Sequence, residues 1–188
     1  QISKTKLADF ESFLIKLRTL PSQSHADTTI QTLKQSYAGL GSLSESTFRE
    51  LLNSSHFAPR ALQITSATSR EILEQAYRNG ILLQNKASLN SREMTRVSDG
   101  VREKVSLDSV MDRETFTQDL QDVIKLKWPS ASAEKVKTVY ELVLAYLAPN
   151  LTYEESETEL ARQESQNNIS RIKGTVLKGE RIVDSHDR

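Results

Sequence analysis

Leucine and phenylalanine open this chain at helical intervals. Leu7, Phe10, Phe13, Leu14, Leu17 and Leu20 recur three or four residues apart and Pro21 follows. That spacing predicts an amphipathic helix over 4–20 whose apolar stripe needs a partner. Residues 27–38 form a second helical candidate, stopped by Gly39-Leu40-Gly41. Ser44 stands where it can cap a third helix carrying Phe48, Leu51 and Leu52. Thr65 or Ser66 is the expected cap of a fourth, with Ile72, Leu73, Ala76 and Tyr77 on one face and Asn79-Gly80 as its stop.

The period changes after Gly80. Ile81-Leu82-Leu83 is a short apolar run, and residues 94–107 alternate loosely around Ser98-Asp99-Gly100. Asp-Gly between two such runs is a hairpin signal, with Val101, Val105 and Leu107 expected on one face. Helical spacing then resumes. Asp112 can cap a segment with Phe116, Leu120, Val123 and Ile124 that ends before Trp128-Pro129. Ser132 can cap the next, where Val136, Val139, Tyr140, Val143 and Leu147 form a stripe while Leu142, Leu144 and Tyr146 fill other faces. A helix apolar nearly all round is a central one. Past Pro149-Asn150, Thr152 and Glu155 have capping-box spacing. The helix they would start, to about residue 168, is rich in charge: Glu154, Glu155, Glu157, Glu159, Arg162 and Glu164. Such a helix lies on the surface or reaches beyond the domain. The chain closes on 175–183, with Lys178-Gly179 as a turn between two short strands.

These elements predict one domain, mainly α with a small β element (α+β). It is helical over 1–80, carries a small β insertion over about 81–107, is helical again over 108–170, and ends in a strand pair over about 172–184. A two-stranded hairpin alone is marginal in water. The expected architecture is therefore a helical bundle whose small sheet joins the mid-chain hairpin to the C-terminal strand pair.

Charge narrows the function classes. Lys and Arg together number 25, and so do Asp and Glu. No net field recruits nucleic acid or an anionic surface, so no nucleic-acid partner is expected. There is no cysteine, which removes disulfides, thiol catalysis and thiolate metal sites. The most apolar run, 142–148, is far shorter than the roughly 20 residues a membrane helix needs.

Candidate chemistry is sparse. The histidines His25, His56 and His186 are far apart in sequence, whereas a metal centre needs several converging donors. His186-Asp187 is the dipeptide of the HD phosphohydrolases, but it stands in the tail without the further His and Asp such a site requires. The carboxylates of 154–164 read as a solvated face. Gly39, Gly41, Gly80, Gly100, Gly174 and Gly179 assemble neither a Walker loop nor a dinucleotide fingerprint. Tyr37, Tyr77, Tyr140, Tyr146, Tyr153 and Trp128 have the amphipathic rings that line ligand pockets, with Tyr140 and Tyr146 expected in the core instead. No catalytic, cofactor-binding or metal-binding residue is assigned, no cofactor is expected, and the pattern selects no ligand-binding residue.

The C-terminal quarter is more specific than any of these motifs. Ala148-Pro149-Asn150-Leu151, then Thr158, Arg162 and Asn168, then Gly174-Thr175-Val176-Leu177-Lys178-Gly179-Glu180-Arg181-Ile182-Val183 resemble the end of the extracytoplasmic domain of the bacterial seven-transmembrane HD hydrolases. These are the membrane-anchored cyclic-di-AMP phosphodiesterases and their relatives. A second echo lies in Tyr77-Arg78-Asn79-Gly80-Ile81-Leu82. Many members carry a glycine roughly where His186 stands, which makes His186 a turn residue. The resemblance implies a membrane helix before this segment, a seven-helix bundle after Arg188 and an HD domain in the cytoplasm. The chain itself would be a non-catalytic sensory or regulatory module outside the membrane. Its implied partners are an extracytoplasmic ligand or envelope protein, its own transmembrane bundle and, as a dimerisation module, a second copy in a homodimer. A structural spacer or dimerisation module is the alternative, ranked ahead of a cytosolic helical adaptor.

Overall fold

The computed structural model describes residues 1–20, 26–89, 92–98 and 100–168. His25, His186 and the strand pair expected over 172–184 lie outside the described residues, and with them the expected joining of that pair to the hairpin. The chain divides into two compact units, Gln1–Tyr153 and Glu154–Arg188.

In the first unit, α1 (Ile2–Thr19) buries Phe10, Phe13, Leu14 and Leu17, the stripe that the spacing predicts. After α2 (Ala26–Ser36), a 3-10 turn (Ala38–Ser42) brings Gly39 against the last helix of the unit. A Cβ on Gly39 would stand 2.7 Å from the Ala145 carbonyl oxygen, so only glycine fits that approach. Ser44 caps α3 (Glu45–Phe57) as expected, its hydroxyl accepting from the Thr47 amide.

The fourth helix departs from the expected start. α4 (Pro59–Asn79) begins six residues before Thr65, with proline in its first turn. Proline has no amide hydrogen to lose there and its fixed φ suits the first helical position. Thr65 and Ser66 instead sit on the buried face with Thr68 and Ser69. Ser66 and Ser69 donate their hydroxyls to the carbonyls one turn back, at Leu62 and Thr65. Short hydroxyl side chains satisfied inside their own helix cost little to bury. α4 packs most closely against α6 (Ala133–Tyr146).

α6 is central: Val139, Leu142 and Val143 are wholly buried. Ser132 caps it and Asp112 caps α5 (Arg113–Lys127), both as expected. Glu141 on α6 reaches across to α3, where it accepts from the Ser44 amide at 2.8 Å and from its hydroxyl. A carboxylate from another helix thereby reinforces the α3 N-terminus, where the macrodipole favours negative charge.

The β content is two separate pairs among the described residues. β1 (Ile81–Leu82) runs parallel to β4 (Met111–Asp112), and Leu151 bridges Leu82 in parallel. β2 (Glu93–Ser98) and β3 (Val101–Ser106) form the expected hairpin, with Ser98 opposite Val101 and Gly100 at φ +81°. Val101 does not share the buried face expected for it: it is 68% exposed at the projecting end, like Val97 at 62%. Only the root of the hairpin buries. Met94 and Val105, cross-strand partners, pack with Leu107 on a small second core of Leu82, Leu107 and Val110. Successive residues of a strand point to opposite sides. Ile81 accordingly belongs to the main core and its neighbour Leu82 to the second.

The second unit contributes α7 (Glu155–Asn168). Its described side chains are exposed apart from half-buried Thr158, which fits the charged surface helix expected there. The helix opens at Glu155, so Thr152 stands too far upstream to be its N-cap, and the expected capping box does not form. Thr158 donates instead to the Glu154 carbonyl. No helix among the described residues is long and apolar enough to cross a membrane.

Two buried or half-buried carboxylates make this fold acid-sensitive. Burial pushes the Asp112 carboxyl up, but hydrogen bonds from the Thr115 hydroxyl and amide and from the Lys86 amide outweigh it and hold it below the usual range. Burial likewise pushes Glu141 up, and the Ser44 amide and hydroxyl, the Thr47 hydroxyl and the Lys137 charge bring it lower than usual. The unfolded chain therefore takes up these protons first, at around pH 4. The stabilisation is complete above that pH and is lost as pH falls through the folded values. Asp112→Ala should cost about 2 kcal/mol at neutral pH. In urea titrations at pH 7 and pH 3, the double variant Asp112→Asn, Glu141→Gln should lose less stability on acidification than the wild type.

Candidate functional site

The ends of three helices meet at one place in the first unit. A helix leaves its last carbonyls without intrahelical donors, and here side chains from the neighbouring element supply them. The Tyr77 hydroxyl, near the end of α4, donates to the carbonyl of Tyr146, the last residue of α6, at 2.7 Å. It accepts from the Ala148 amide at 3.3 Å. Asn150 returns the favour, its side-chain amide donating to the Tyr77 carbonyl at 2.9 Å while its oxygen accepts from the Ile81 amide at 2.7 Å. Arg96 of the hairpin donates to the Arg78 carbonyl and pairs with Glu103 at 2.6 Å. The N-terminus of α5 joins through Asp112, which also accepts from the Lys86 amide at 2.7 Å.

The segment 148–153 that leaves α6 is tied down along its length. The Asn150 and Leu151 amides both donate to the Ile81 carbonyl, and the Leu83 amide donates to the Leu151 carbonyl. Gln84 closes the strap by exchanging hydrogen bonds with both backbone groups of Tyr153. Gly80 is required twice over: its φ is +100°, and a Cβ there would meet the Leu151 Cδ1 at 2.2 Å.

The aromatic residues weighed as pocket candidates do not converge on a cavity. Tyr77 and Tyr146 are core residues, while Tyr37, Tyr140 and Trp128 are half-buried against that core. Tyr153 belongs to the strap. Phe10 meets the Tyr146 ring edge-on at 5.2 Å, and Phe13 meets Tyr37 at 5.6 Å. The Tyr146 hydroxyl is buried without a partner among the described residues. Burial pushes it well above the usual tyrosine range, with Tyr37 and Asp9 adding to the shift. Burial also pushes Tyr77 up to about 12, against the opposing hydrogen bond from Ala148.

Two shallow recesses mark the surface. One of about 270 Å³ lies between the first turns of α3 and α6, lined by Ser46, Thr47, Ala133, Glu134, Lys137 and Thr138. The other, about 340 Å³, lies between α1 and α2 and includes Lys16, Leu20, Thr28, Thr29 and Thr32. Both stand near the low end of the range for small-molecule sites. His56 stands half-buried beside Phe57, and no group of three or more His, Asp or Glu among the described residues could hold a metal.

A family model described as 7TM-HD extracellular matches residues 1–188. The chain belongs to this family. Comparison with curated proteins and with solved structures gives no match. As a 7TM-HD extracellular domain the chain is the non-catalytic, extracytoplasmic part of a membrane protein. Two of the stretches that carry the resemblance in sequence, 77–82 and 148–151, lie some 70 residues apart yet form a single hydrogen-bonded junction, while 174–183, which carries most of it, lies outside the described residues. That junction was legible only as two unconnected marks. Glu141 and the unpartnered Tyr146 hydroxyl carried no sequence signal at all.

The geometry separates the two buried tyrosines. Tyr77→Phe removes both hydrogen bonds of its hydroxyl and should cost about 1–3 kcal/mol, whereas Tyr146→Phe removes a hydroxyl that has no partner and should be neutral or stabilising. Gly80→Ala combines backbone strain with a clash and should cost more than about 2 kcal/mol. Thermal and urea unfolding of the three variants would check this order.

Proposed function

We propose that this chain is the sensory or regulatory head of a membrane-bound HD-type phosphohydrolase. It receives a signal outside the membrane and passes it through a transmembrane bundle to a cytoplasmic cyclic-dinucleotide phosphodiesterase, of the cyclic-di-AMP type. The observation that carries this reading is the family match over residues 1–188. The geometry supports it with a route: the strap that leaves the first unit is held by side chains of its central helices. The shallow recesses favour a large partner, an envelope protein or a wall polymer, over a buried metabolite. A ligand shifts such a domain only by its differential affinity for two states.

The same shallowness favours a second reading, a spacer or dimerisation module that orients the bundle. Sedimentation discriminates, since a tight dimer that binds no envelope component would support the spacer. The parent reading frame should encode a hydrophobic span before Gln1 and a seven-helix bundle after Arg188. In cells, deletion of residues 1–188 should leave a hydrolase that no longer responds to envelope conditions. Unchanged regulation, together with no binding of the isolated chain to any envelope fraction, would overturn the sensory reading.

A further inference from the structure

We propose that residues 148–153 are a latch, closed in the state described above and able to open locally, with Tyr77 and Asn150 holding it shut. Two observations converge on this. The strap is half-buried or exposed throughout, while Tyr77, Ile81, Leu82 and Tyr146, to which it is attached or adjoined, are buried. Segments held by hydrogen bonds near solvent and by few buried apolar groups open before the core does. Its start is held by two side chains: the Tyr77 hydroxyl and the Asn150 side chain make four of the ties between the ends of α4 and α6, while backbone bonds and Gln84 hold the remainder.

Tyr77 is a positioning residue in this scheme, acting through the α6 carbonyl and the Ala148 amide. The open state frees the segment that leads to Glu154 and beyond. Its consequence for a hydrolase rests on the sensory reading, but the latch itself does not.

Amide hydrogen exchange on the chain tests the latch directly. In the wild type, the amides of Leu83, Asn150 and Leu151 should exchange together and faster than those of Leu73 and Val143. Tyr77→Phe should speed the three strap amides by about tenfold or more, with Leu73 and Val143 speeding only as far as the variant's global stability falls and staying slower than the strap. Tyr146→Phe, which removes a hydroxyl among the α1 side chains and no strap bond, should leave the same three unchanged. Asn150→Ala, at a half-buried position, should reproduce the faster exchange and covers the case in which Tyr77→Phe does not fold. Strap amides that exchange only at the rate of the core, in the wild type and in these variants alike, would overturn the proposal. The variants placed in the full-length parent then separate the two ideas. Altered strap exchange with unchanged regulation of cyclic-dinucleotide hydrolysis would leave the latch standing and remove the sensory role.

Discussion

A helix cannot leave its final carbonyls buried and unpaired, and the first unit is organised around that constraint. α4 and α6 end side by side, and each end is completed by a side chain from the segment attached to the other. The Tyr77 hydroxyl serves the end of α6 and Asn150, four residues past that end, serves α4. Neither helix could shift along its axis without breaking the cap of its neighbour. Conventional C-capping places a left-handed glycine after the helix. Gly80 does this for α4, but its positive φ also aims the chain into β1 and makes room for Leu151. One glycine therefore ends a helix, starts a strand and seats the strap.

From that junction the two cores follow. β1 is only two residues long, yet the pleat sends Ile81 into the main helical core and Leu82 into the small core under the hairpin. The hairpin is consequently not an independent module. Its root, through Met94 and Val105, shares a core with Leu151 of the strap. Arg96 ties it again to the end of α4. The Glu11–Arg70 salt bridge lies on exposed side chains and contributes little. The rigidity of the unit comes from buried apolar stripes and satisfied helix ends.

Most of this framework was readable one element at a time, because caps are local. Ser44, Asp112 and Ser132 each sit one residue before a helix and accept from its first turn, and Asp-Gly marked the hairpin turn. The errors have local causes too. Thr65 and Ser66 looked like caps because hydroxyl residues compete for backbone groups, and in α4 Ser66 does so from inside the helix. Val101 has the right parity to share a face with Val105, but the second core ends before reaching it. Thr152 has capping-box spacing relative to Glu155, but the parallel bridge at Leu151 keeps the chain extended past it. The junction was not readable, since the bonds of Tyr77 and Asn150 close loops of about 70 residues and nothing local announces them.

The electrostatics of the molecule bear on what it can sense. With equal numbers of acidic and basic side chains, long-range attraction will not select a partner, so selection must come from contact. Contact on shallow surfaces spreads over many residues and seldom buries a small ligand. A partner that distinguishes two states must therefore touch a part of the surface that differs between them. To carry an equilibrium from almost all closed to almost all open, it would need about a 10⁴-fold preference for the open form. A partner that touches only surface common to both states shifts nothing, however tightly it binds.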